Sequence, residues 1–263
     1  MKIYPTSGRV INSDRSTKYP DASDHNMVKA TIRAGITTAQ VGTFNLRRSD
    51  LGDKPPYDWP TRDSKAAQLI ADSGVSILAV QECEPDQDAY LLSKLPKLTG
   101  VPWKAVSAPT NVGMFYKADR WKLATSTELT MDNGAETDRR LVLGQFESVK
   151  TKEKIWVGST HFGVGIALAE RRRYQAAKVC QFLRDLALYG DVRDASVIMG
   201  DFNDWADWKH LGVRSVFDEY GFSDLPRRLS DAQMDGDSVS TKHSFGKLTP
   251  RDGRHIDTIF TRR

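Results

Sequence analysis

Five polar side chains stand where apolar segments of the chain end, and their types are those that bind a metal ion or transfer a proton. They are Asn45 after VGTF, Glu82 after ILAVQ, His161 after WVGST, and Asp201 and Asn203 after VIMG. Strand ends at one edge of a sheet converge on a common crevice, so we expect these side chains to meet in space. Carboxylate and amide oxygens suit Mg2+. A histidine beside them can bind a phosphate oxygen or accept a proton from water.

Each of these residues also has a purely structural explanation. Glu82 can cap a strand, Asn45 can satisfy the polar groups of a turn, and His161 can be a hydrogen-bonded structural histidine. Packing does not explain why five residues of these types all follow apolar strands. The pattern as a whole therefore favours a catalytic or metal-binding crevice, although no single residue establishes it.

The segments that must position these residues alternate between strand and helix patterns. Strands are predicted at 37–46, 75–82, 112–124, 140–149, 154–162, 195–204 and 255–260. A helix is predicted at 61–74, with Thr61 as its N-cap and Gly74 as its stop, and the longest helix at about 169–188. No repeat or linker interrupts this order. Residues 1–263 are therefore predicted to form one domain, with two sheets packed face to face and helices outside.

Six short blocks, TFNL, LAVQE, GMFYK, STHF, GDFND and HIDTIF, resemble in that order the signature blocks of the endonuclease/exonuclease/phosphatase superfamily, which has the DNase I-like fold. The resemblance extends from about residue 41 to residue 260, and QE and GDFN are its most specific parts. It implies a four-layered α/β-sandwich, in which two packed and mainly antiparallel sheets are flanked by helices. It also implies an enzyme that cleaves a phosphate ester with Mg2+, or with Mn2+ or Ca2+ in its place.

The family closes with a Ser-Asp-His block after the IDxIF strand, and the present chain stops at Arg263 before such a block. SDHNMVKATI, at residues 23–32, resembles that block and follows a basic, loop-like run. We therefore interpret the chain as circularly permuted, with 1–35 corresponding to the family's C-terminal segment and 36–263 to the rest. MVKATI and AQVGTFNL should then be antiparallel neighbours joined by a short glycine-containing turn. The alternative is a chance tripeptide match in a chain that has lost the last segment, with His255 as the base.

The resemblance implies a role in hydrolysis for each residue of the crevice. His25 would be the general base that takes a proton from the attacking water, and Asp257 would orient its ring. Asp201 and Asn203 would position the nucleophile or the phosphate. His161 would donate a hydrogen bond to a non-bridging oxygen. The family often gives this second histidine a carboxylate partner, which the sequence does not reveal.

The resemblance also implies a metal site. Its predicted ligands are Glu82, Asn45 and Asp24, with Asp257 as an alternative to Asp24. An ion held by these oxygens would neutralise charge on the phosphate and stabilise the leaving oxygen.

Three further residues are predicted to contact the substrate, namely Arg140, Tyr116 and Arg47. Arg140, or its neighbour Arg139, stands where some relatives place a phosphate-binding arginine, although a solvated surface arginine fits the sequence equally well. Tyr116 matches the family's pattern only loosely and fits the core as well.

The fold serves nucleases, small-molecule phosphatases and lipid phosphodiesterases, so it does not choose a substrate. The 263 residues include 38 Lys and Arg against 34 Asp and Glu, a net charge of +4. Arg47, Arg48, the arginines at 171–173, Trp205 and Trp208 favour nucleic acid, DNA rather than RNA, because such side chains pair with phosphates and stack on bases. The same residues also fit a solvated helix face and rim. A hydrolase of a small or lipid-headgroup phosphate ester and a catalytically silent binding domain are the alternatives.

The remaining features concern the compartment. Cys83 and Cys180 are expected to be reduced thiols rather than a disulfide. No apolar run is long enough to span a membrane, and the N-terminus lacks the apolar core of a secretory signal. The sequence therefore predicts a soluble, cytoplasmic protein, indicates no protein partner and is consistent with a monomer.

Overall fold

The computed structural model describes residues 3–11, 21–107, 111–132, 138–189, 196–204, 212–224, 234–235 and 256–262. The strands of these residues are β1 (Ile3–Ile11), β2 (Met27–Ala34), β3 (Thr37–Asn45), β4 (Ile77–Gln81), β5 (Trp103–Ser107), β6 (Val112–Lys117), β7 (Trp121–Met131), β8 (Arg139–Ser148), β9 (Lys154–His161), β10 (Ser196–Asp201), β11 (Phe222–Asp224), β12 (Met234–Asp235) and β13 (Asp257–Arg262). Their α-helices are α1 (Trp59–Ser73), α2 (Pro85–Thr99), α3 (Ala169–Tyr189) and α4 (Val213–Glu219).

These strands form two mixed, mainly antiparallel sheets. One has seven strands in the order β12-β1-β2-β3-β4-β6-β5, and the other has six in the order β11-β13-β10-β9-β8-β7. Among the described pairs, β1 with β12, β3 with β4, and β9 with β10 are parallel. In the last two pairs the strands end side by side, with Asn45 beside Gln81 and His161 beside Asp201. Parallel pairing therefore brings the polar residues at these strand ends to a common edge.

Three apolar layers hold the sheets and helices together. The layer between the sheets includes Val41 of β3 and Val157 of β9. Leu69 belongs to the layer that α1 and α2 form with the outer face of the seven-stranded sheet. Val179 of α3 and Phe217 of α4 belong to the layer outside the six-stranded sheet. This order of helices, sheet, sheet and helices confirms the predicted four-layered α/β-sandwich.

The start of the chain differs from the sequence-based expectation. The supposedly loop-like run contains β1, which pairs with β2 from Ile3 opposite Ala34 to Ile11 opposite Met27. Pro5 within this run and a register shift beside it explain why the strand pattern was weak, since proline cannot donate to a strand ladder. The predicted strand at 112–124 is also two strands, β6 and β7, separated by a turn.

Helix α1 begins earlier than the sequence predicts. Asp58 precedes it in an extended conformation and Pro60 lies in its first turn, where a missing N–H costs nothing, so Thr61 is inside the helix rather than its N-cap. Gly74 ends the helix as predicted, with a φ of 74° that favours glycine. No helix among the described residues combines the length and apolar character needed to cross a membrane.

The hairpin of β2 and β3 confirms the predicted antiparallel neighbours. The register runs from Val28 opposite Thr43 to Ala34 opposite Thr37, which leaves a turn of two residues. Gly35 takes a φ of 57° in this turn. The hairpin therefore needs no long connection between its strands.

Replacing Gly200 by alanine should destabilise the fold strongly. A Cβ atom at Gly200 of β10 would lie 2.0 Å from the backbone oxygen of Thr160 in β9, and that oxygen cannot move without disturbing the strand pairing. We expect the free energy of unfolding, measured by urea denaturation, to fall by more than about 3 kcal/mol. The matched control is Gly144→Ala in β8, where the nearest atom is on the ring of Phe146, which can rotate away. Equal losses in the two variants would contradict this explanation.

Candidate active site

The site lies where strands of the two facing sheets end. In the seven-stranded sheet β3 ends at Asn45, and β4 leads directly into Glu82. In the six-stranded sheet β9 ends at His161, β10 ends at Asp201, and β13 begins at Asp257 opposite Asp201. Side chains from both sheets therefore approach one another at a shared edge.

His25 and Asp257 form a buried pair at this edge. Nδ1 of His25 lies 2.8 Å from Oδ2 of Asp257, and the same nitrogen is 3.8 Å from Oδ2 of Asp201. The side chains of His25 and Asp257 are 1% and 0% exposed. A carboxylate beside Nδ1 keeps a proton on that nitrogen, which leaves Nε2 as the ring atom that can take up a further proton.

The carboxylates around His25 set its charge. Burial is the largest single influence and opposes a charged ring, but the attraction and hydrogen bond of Asp257, with the charges of Asp24 and Asp201, outweigh it. Together they raise the pKa of His25 to about 9. Without a cation in the cluster the ring is therefore protonated at neutral pH. A general base must be neutral, and positive charge beside these carboxylates would lower the pKa of His25 and so favour the neutral ring.

Asn45 links carboxylates that come from the two sheets. Its Nδ2 donates to Oε1 of Glu82 at 3.0 Å and to Oδ2 of Asp201 at 3.1 Å. Its Oδ1 accepts a hydrogen bond from the backbone N–H of Arg47 at 2.9 Å. The sequence predicts Asn45 as a metal ligand through this oxygen. In the structure its amide nitrogen holds the two carboxylates in place, and the role of the oxygen as a metal ligand stays a prediction.

Glu82 is the half-buried carboxylate of the site. Its φ of 55° lies in the left-handed region that side chains rarely adopt, as often occurs at functional positions. Burial, the largest influence, raises the pKa of its carboxyl group. The charge of His161, the hydrogen bond from Asn45, the charge of His25 and the backbone N–H of Arg48 outweigh burial and lower the pKa of Glu82 to about 2. The carboxylate is ionised at neutral pH and is a hard oxygen ligand.

Asp24 and Arg47 neutralise each other beside the site. Nη1 of Arg47 donates to Oδ2 of Asp24 at 3.1 Å, and the rest of its guanidinium donates to both oxygens of Asp53 at 2.6 and 2.8 Å. Arg48 forms a similar pair with Glu84, at 2.9 Å. A metal ion at Oδ2 of Asp24 or a phosphate at Arg47 would compete with these ion pairs. The structure shows the two side chains paired, and their predicted roles as metal ligand and substrate contact stay predictions.

His161 and Asn203 lie on the other side of Asp201. Nε2 of His161 is 3.7 Å from Oδ2 of Asp201, and its Nδ1 is 3.4 Å from Nη1 of Arg139. Burial above all lowers the pKa of His161, and the attraction of nearby carboxylates is too weak to offset it. Asn203 donates from its backbone N–H to Oδ1 of Asp201 at 2.9 Å and from Nδ2 to the carbonyl oxygen of Phe162 at 3.1 Å. The second histidine thus has an arginine, rather than a carboxylate, beside its Nδ1.

Two predicted substrate contacts need correction. Tyr116 lies opposite Ile77 at the start of β4, whereas the site follows the end of that strand. Its ring is buried between the sheets against Phe146, with ring centroids 5.2 Å apart, so the core alternative is the correct one. Nη1 of Arg140 donates to Oε1 of Glu128 at 2.5 Å, and it is the preceding arginine that contacts the second histidine.

Arg62 is a residue near the site that the sequence analysis missed. Its side chain is fully buried and donates hydrogen bonds to the backbone carbonyl groups of Ala22, Leu46, Arg47 and Tyr57 at 2.6 to 3.1 Å. Two of these carbonyl groups belong to the segments that carry His25 and Asn45, so one side chain ties these segments together. The signal for it was an arginine on the apolar face of α1, four residues before Ala66 and seven before Leu69.

The centre of the cluster has the composition of a metal site. One ligand atom from each of His25, Asp201 and Asp257 lies within 4.8 Å of the others, and all three residues are buried. Glu82 joins this group through Asn45. The two buried carboxylates of this group and the nearby carboxylate of Glu82 repel one another, and a divalent cation would relieve that repulsion. The residues present therefore fit such an ion.

The stability of the protein without metal should depend on the charge of His25. Because the pKa of His25 is 6.5 in an unfolded chain and about 9 in the fold, its contribution is fully present below pH 6.5 and is lost as the pH rises through 9. We expect the free energy of unfolding of the chelator-treated protein, relative to His25→Asn, to fall by on the order of 3 kcal/mol over this range. His161→Asn is the control, because the pKa of His161 is lowered. If the difference in free energy of unfolding between the unmodified protein and His25→Asn did not change over this pH range, the assigned charge of His25 would be wrong.

Several solved structures share this fold at low sequence identity. An endonuclease/exonuclease/phosphatase from Bacteroides vulgatus has a TM-score of 0.67 and 19% identity, over 86% of this chain and 87% of its own. The mannosyl-6-phosphatase of Bacteroides thetaiotaomicron has a TM-score of 0.67 and 18% identity, over 84% of each chain. TDP2 of D. rerio, solved with a single-strand DNA product, has a TM-score of 0.60 and 18% identity, over 84% of this chain and 82% of its own.

The sequence itself gives a more direct assignment. No curated protein matches the chain significantly. Residues 42–231, which are more than half of the chain, match the Endonuclease/Exonuclease/phosphatase family, and they contain Asn45, Glu82, His161 and the Asp201–Asn203 turn. The chain belongs to the endonuclease/exonuclease/phosphatase family.

Proposed function

We propose that this protein is a Mg2+-dependent phosphodiesterase that hydrolyses nucleic acid, DNA rather than RNA, with His25 activating the attacking water. Members of its family are phosphoric ester hydrolases. The observation that carries the proposal is the buried pair of His25 and Asp257, 2.8 Å apart, beside the carboxylate of Asp201. A candidate base, the acid that orients it and an acidic cluster are the parts that metal-assisted hydrolysis needs.

His25 acts through Nε2. Its Nδ1–H is directed at Asp257, so Nε2 accepts the proton from water as the oxygen attacks phosphorus. The carboxylate of Asp257 stabilises the imidazolium that forms, and burial strengthens this attraction relative to water. His25 can then return the proton to the departing oxygen or to solvent.

Asp201 and Asn203 hold the attacking water and the phosphate in position. The carboxylate of Asp201 is fixed by hydrogen bonds from Asn45 and from the backbone of Asn203, and it lies between the rings of His25 and His161. This position suits a group that orients the water or the phosphate between two histidines. His161 donates to a non-bridging oxygen, where negative charge builds up in the transition state.

Glu82 and Asp201, with Asp257 beside them, are the residues that would hold the metal ion. Their ionised oxygens are the hard ligands that Mg2+ prefers, and Mn2+ or Ca2+ are the alternatives. When bound, the ion supplies positive charge that stabilises the phosphate and the leaving oxygen and makes a neutral His25 accessible at neutral pH.

Nucleic acid is the first substrate to test. The net charge of +4 suits a polyanion, and TDP2 of D. rerio, which shares the fold, was solved with a single-strand DNA product. Trp205 and Trp208, which the sequence suggests as stacking residues, lie outside the described part of the chain.

A small phosphate ester is the second candidate, and the pairing of the arginines favours it. Arg47 and Arg48 bind carboxylates. Arg171 donates to Asp132 at 2.6 Å, and Arg172 is buried and donates to backbone carbonyl groups. The basic side chains predicted to follow a nucleic-acid backbone are thus engaged within the protein. A small substrate needs no such track of free cations.

A nicking assay on supercoiled plasmid, with Mg2+ and with a chelator, tests the proposed hydrolysis. We expect His25→Ala to lower kcat about a hundredfold to ten-thousandfold, because the general base is lost. The matched variant is His255→Ala, since His255 is the alternative base. Activity lost in His255→Ala but retained in His25→Ala would overturn the assignment of the base. Hydrolysis of a small phosphodiester without nicking would move the substrate to the second candidate.

We also infer that the chain is one circularly permuted domain, in which residues 1–35 take the place of the family's C-terminal segment. The contact of His25 with Asp257 supports this, as does the hairpin that joins β2 directly to β3. Ser23 adds a further link, because its hydroxyl group donates to the carbonyl oxygen of Asn45 at 2.7 Å. The segment that resembles the family's last block therefore lies against the segment that resembles its first.

Restoring the family's order should preserve the protein. A variant opened between Gly35 and Ile36, with a glycine-rich linker from Arg263 to Met1, is expected to unfold cooperatively and to keep hydrolysis that depends on His25. Residues 36–263 alone lack His25 and β2 and serve as the inactive control. A reordered chain that fails to fold would contradict the permutation.

A further inference from the structure

We propose that Arg139 is a positioning residue that holds His161 in the tautomer with its proton on Nε2, so that His161 presents a hydrogen-bond donor to the substrate phosphate. The identity of the anion rests on the proposed function. The tautomer itself rests on the contacts of the two side chains and can be tested without any substrate.

The contact between Arg139 and His161 decides the tautomer. Nη1 of Arg139 lies 3.4 Å from Nδ1 of His161. A guanidinium group has only donors and stays charged in proteins, so Nδ1 must offer its lone pair. In a neutral imidazole the proton is then on Nε2. A doubly protonated ring would direct an N–H at the guanidinium, which places two donors and two positive charges together.

The other ring nitrogen points toward the acidic cluster. Nε2 of His161 is buried and has no hydrogen-bond partner among the described residues, and it lies 3.7 Å from Oδ2 of Asp201. The side chain of His161 is only 7% exposed. A buried N–H without an acceptor costs free energy, so this position calls for an oxygen ligand. A phosphate oxygen bound beside Asp201 would supply the acceptor.

The comparison with His25 shows what the partner does. His25 has a carboxylate 2.8 Å from Nδ1, whereas His161 has a guanidinium beside the same ring atom. The first arrangement leaves Nε2 of His25 free to accept a proton. The second leaves Nε2 of His161 carrying one. Two identical side chains in one cluster thereby become an acceptor and a donor, because their Nδ1 partners have opposite charge.

Ring-nitrogen NMR of the full-length protein labelled with 15N-histidine tests the proposal. The chain has five histidines, so the signals of His161 can be assigned with His161→Asn. At neutral pH we expect a protonated Nε2 and an unprotonated Nδ1 for His161. Proton on Nδ1, or on both nitrogens, in the unmodified protein would overturn the proposal whether or not the enzyme is active.

Variants at position 139 test whether the tautomer of His161 depends on Arg139. Arg139→Glu places an acceptor beside Nδ1 and should put a proton of His161 on that atom. Arg140→Met is the matched control for the NMR signal, since Arg140 is bound to Glu128 and should leave the tautomer unchanged. An unchanged tautomer in Arg139→Glu would contradict the role of Arg139.

The outcomes separate this inference from the proposed function. An Nε2–H tautomer that responds to Arg139→Glu, in a protein that hydrolyses no phosphate ester, would support the positioning role and refute the function. Hydrolysis that depends on His25, in a protein whose His161 carries its proton on Nδ1, would support the function and refute the positioning role.

Discussion

The contact between His25 and Asp257 is the interaction on which the arrangement of the site depends. It joins the residues that precede β2 in one sheet to the first residue of β13 in the other, so it exists only when the two sheets pack in one relative position. Burial makes both groups costly unless they are paired. A hydrogen bond across the core, from Nε2 of Gln81 to Oγ of Ser159 at 3.2 Å, helps to hold that position beneath the site. The geometry of the candidate site therefore depends on how the two sheets pack against each other.

Several arginines of the described residues bind groups within the protein. Arg62 is fully buried and binds backbone carbonyl groups of the segments around the site, and Arg172 does the same for the segment that follows His161. Arg47 binds Asp24 and Asp53. The hydrogen bonds of these arginines hold the segments around the site in place. Net charge by itself therefore does not identify the substrate, because it does not distinguish a solvated cation from a structural one.

The two histidines show how one residue type acquires two properties. Each is buried next to Asp201, and the Nδ1 atoms of the two rings have different partners, Asp257 for His25 and Arg139 for His161. A carboxylate partner raises the pKa of His25, whereas burial next to an arginine lowers that of His161. The environment of the ring, and not the residue itself, decides whether it is charged, accepts a proton or donates one.

The amino-acid sequence alone identified the family, the layered sandwich and most residues of the cluster, because these depend on local patterns: apolar strands that end in Asn45, Glu82, His161 and Asp201, and the Ser-Asp-His block that contains His25. It left Tyr116 open between a substrate contact and the core, did not reveal the ion pairs of Arg140 and Asp24, and missed Arg62. Strand β1, whose pairing with β2 shifts register beside Pro5, also escaped recognition. A local pattern lists which side chains are available but not their partners. Hydrogen bonds and ion pairs between residues far apart in the chain are formed only when the sheets pack, and that packing alone decided which arginine meets His161 and which carboxylate Arg47 neutralises.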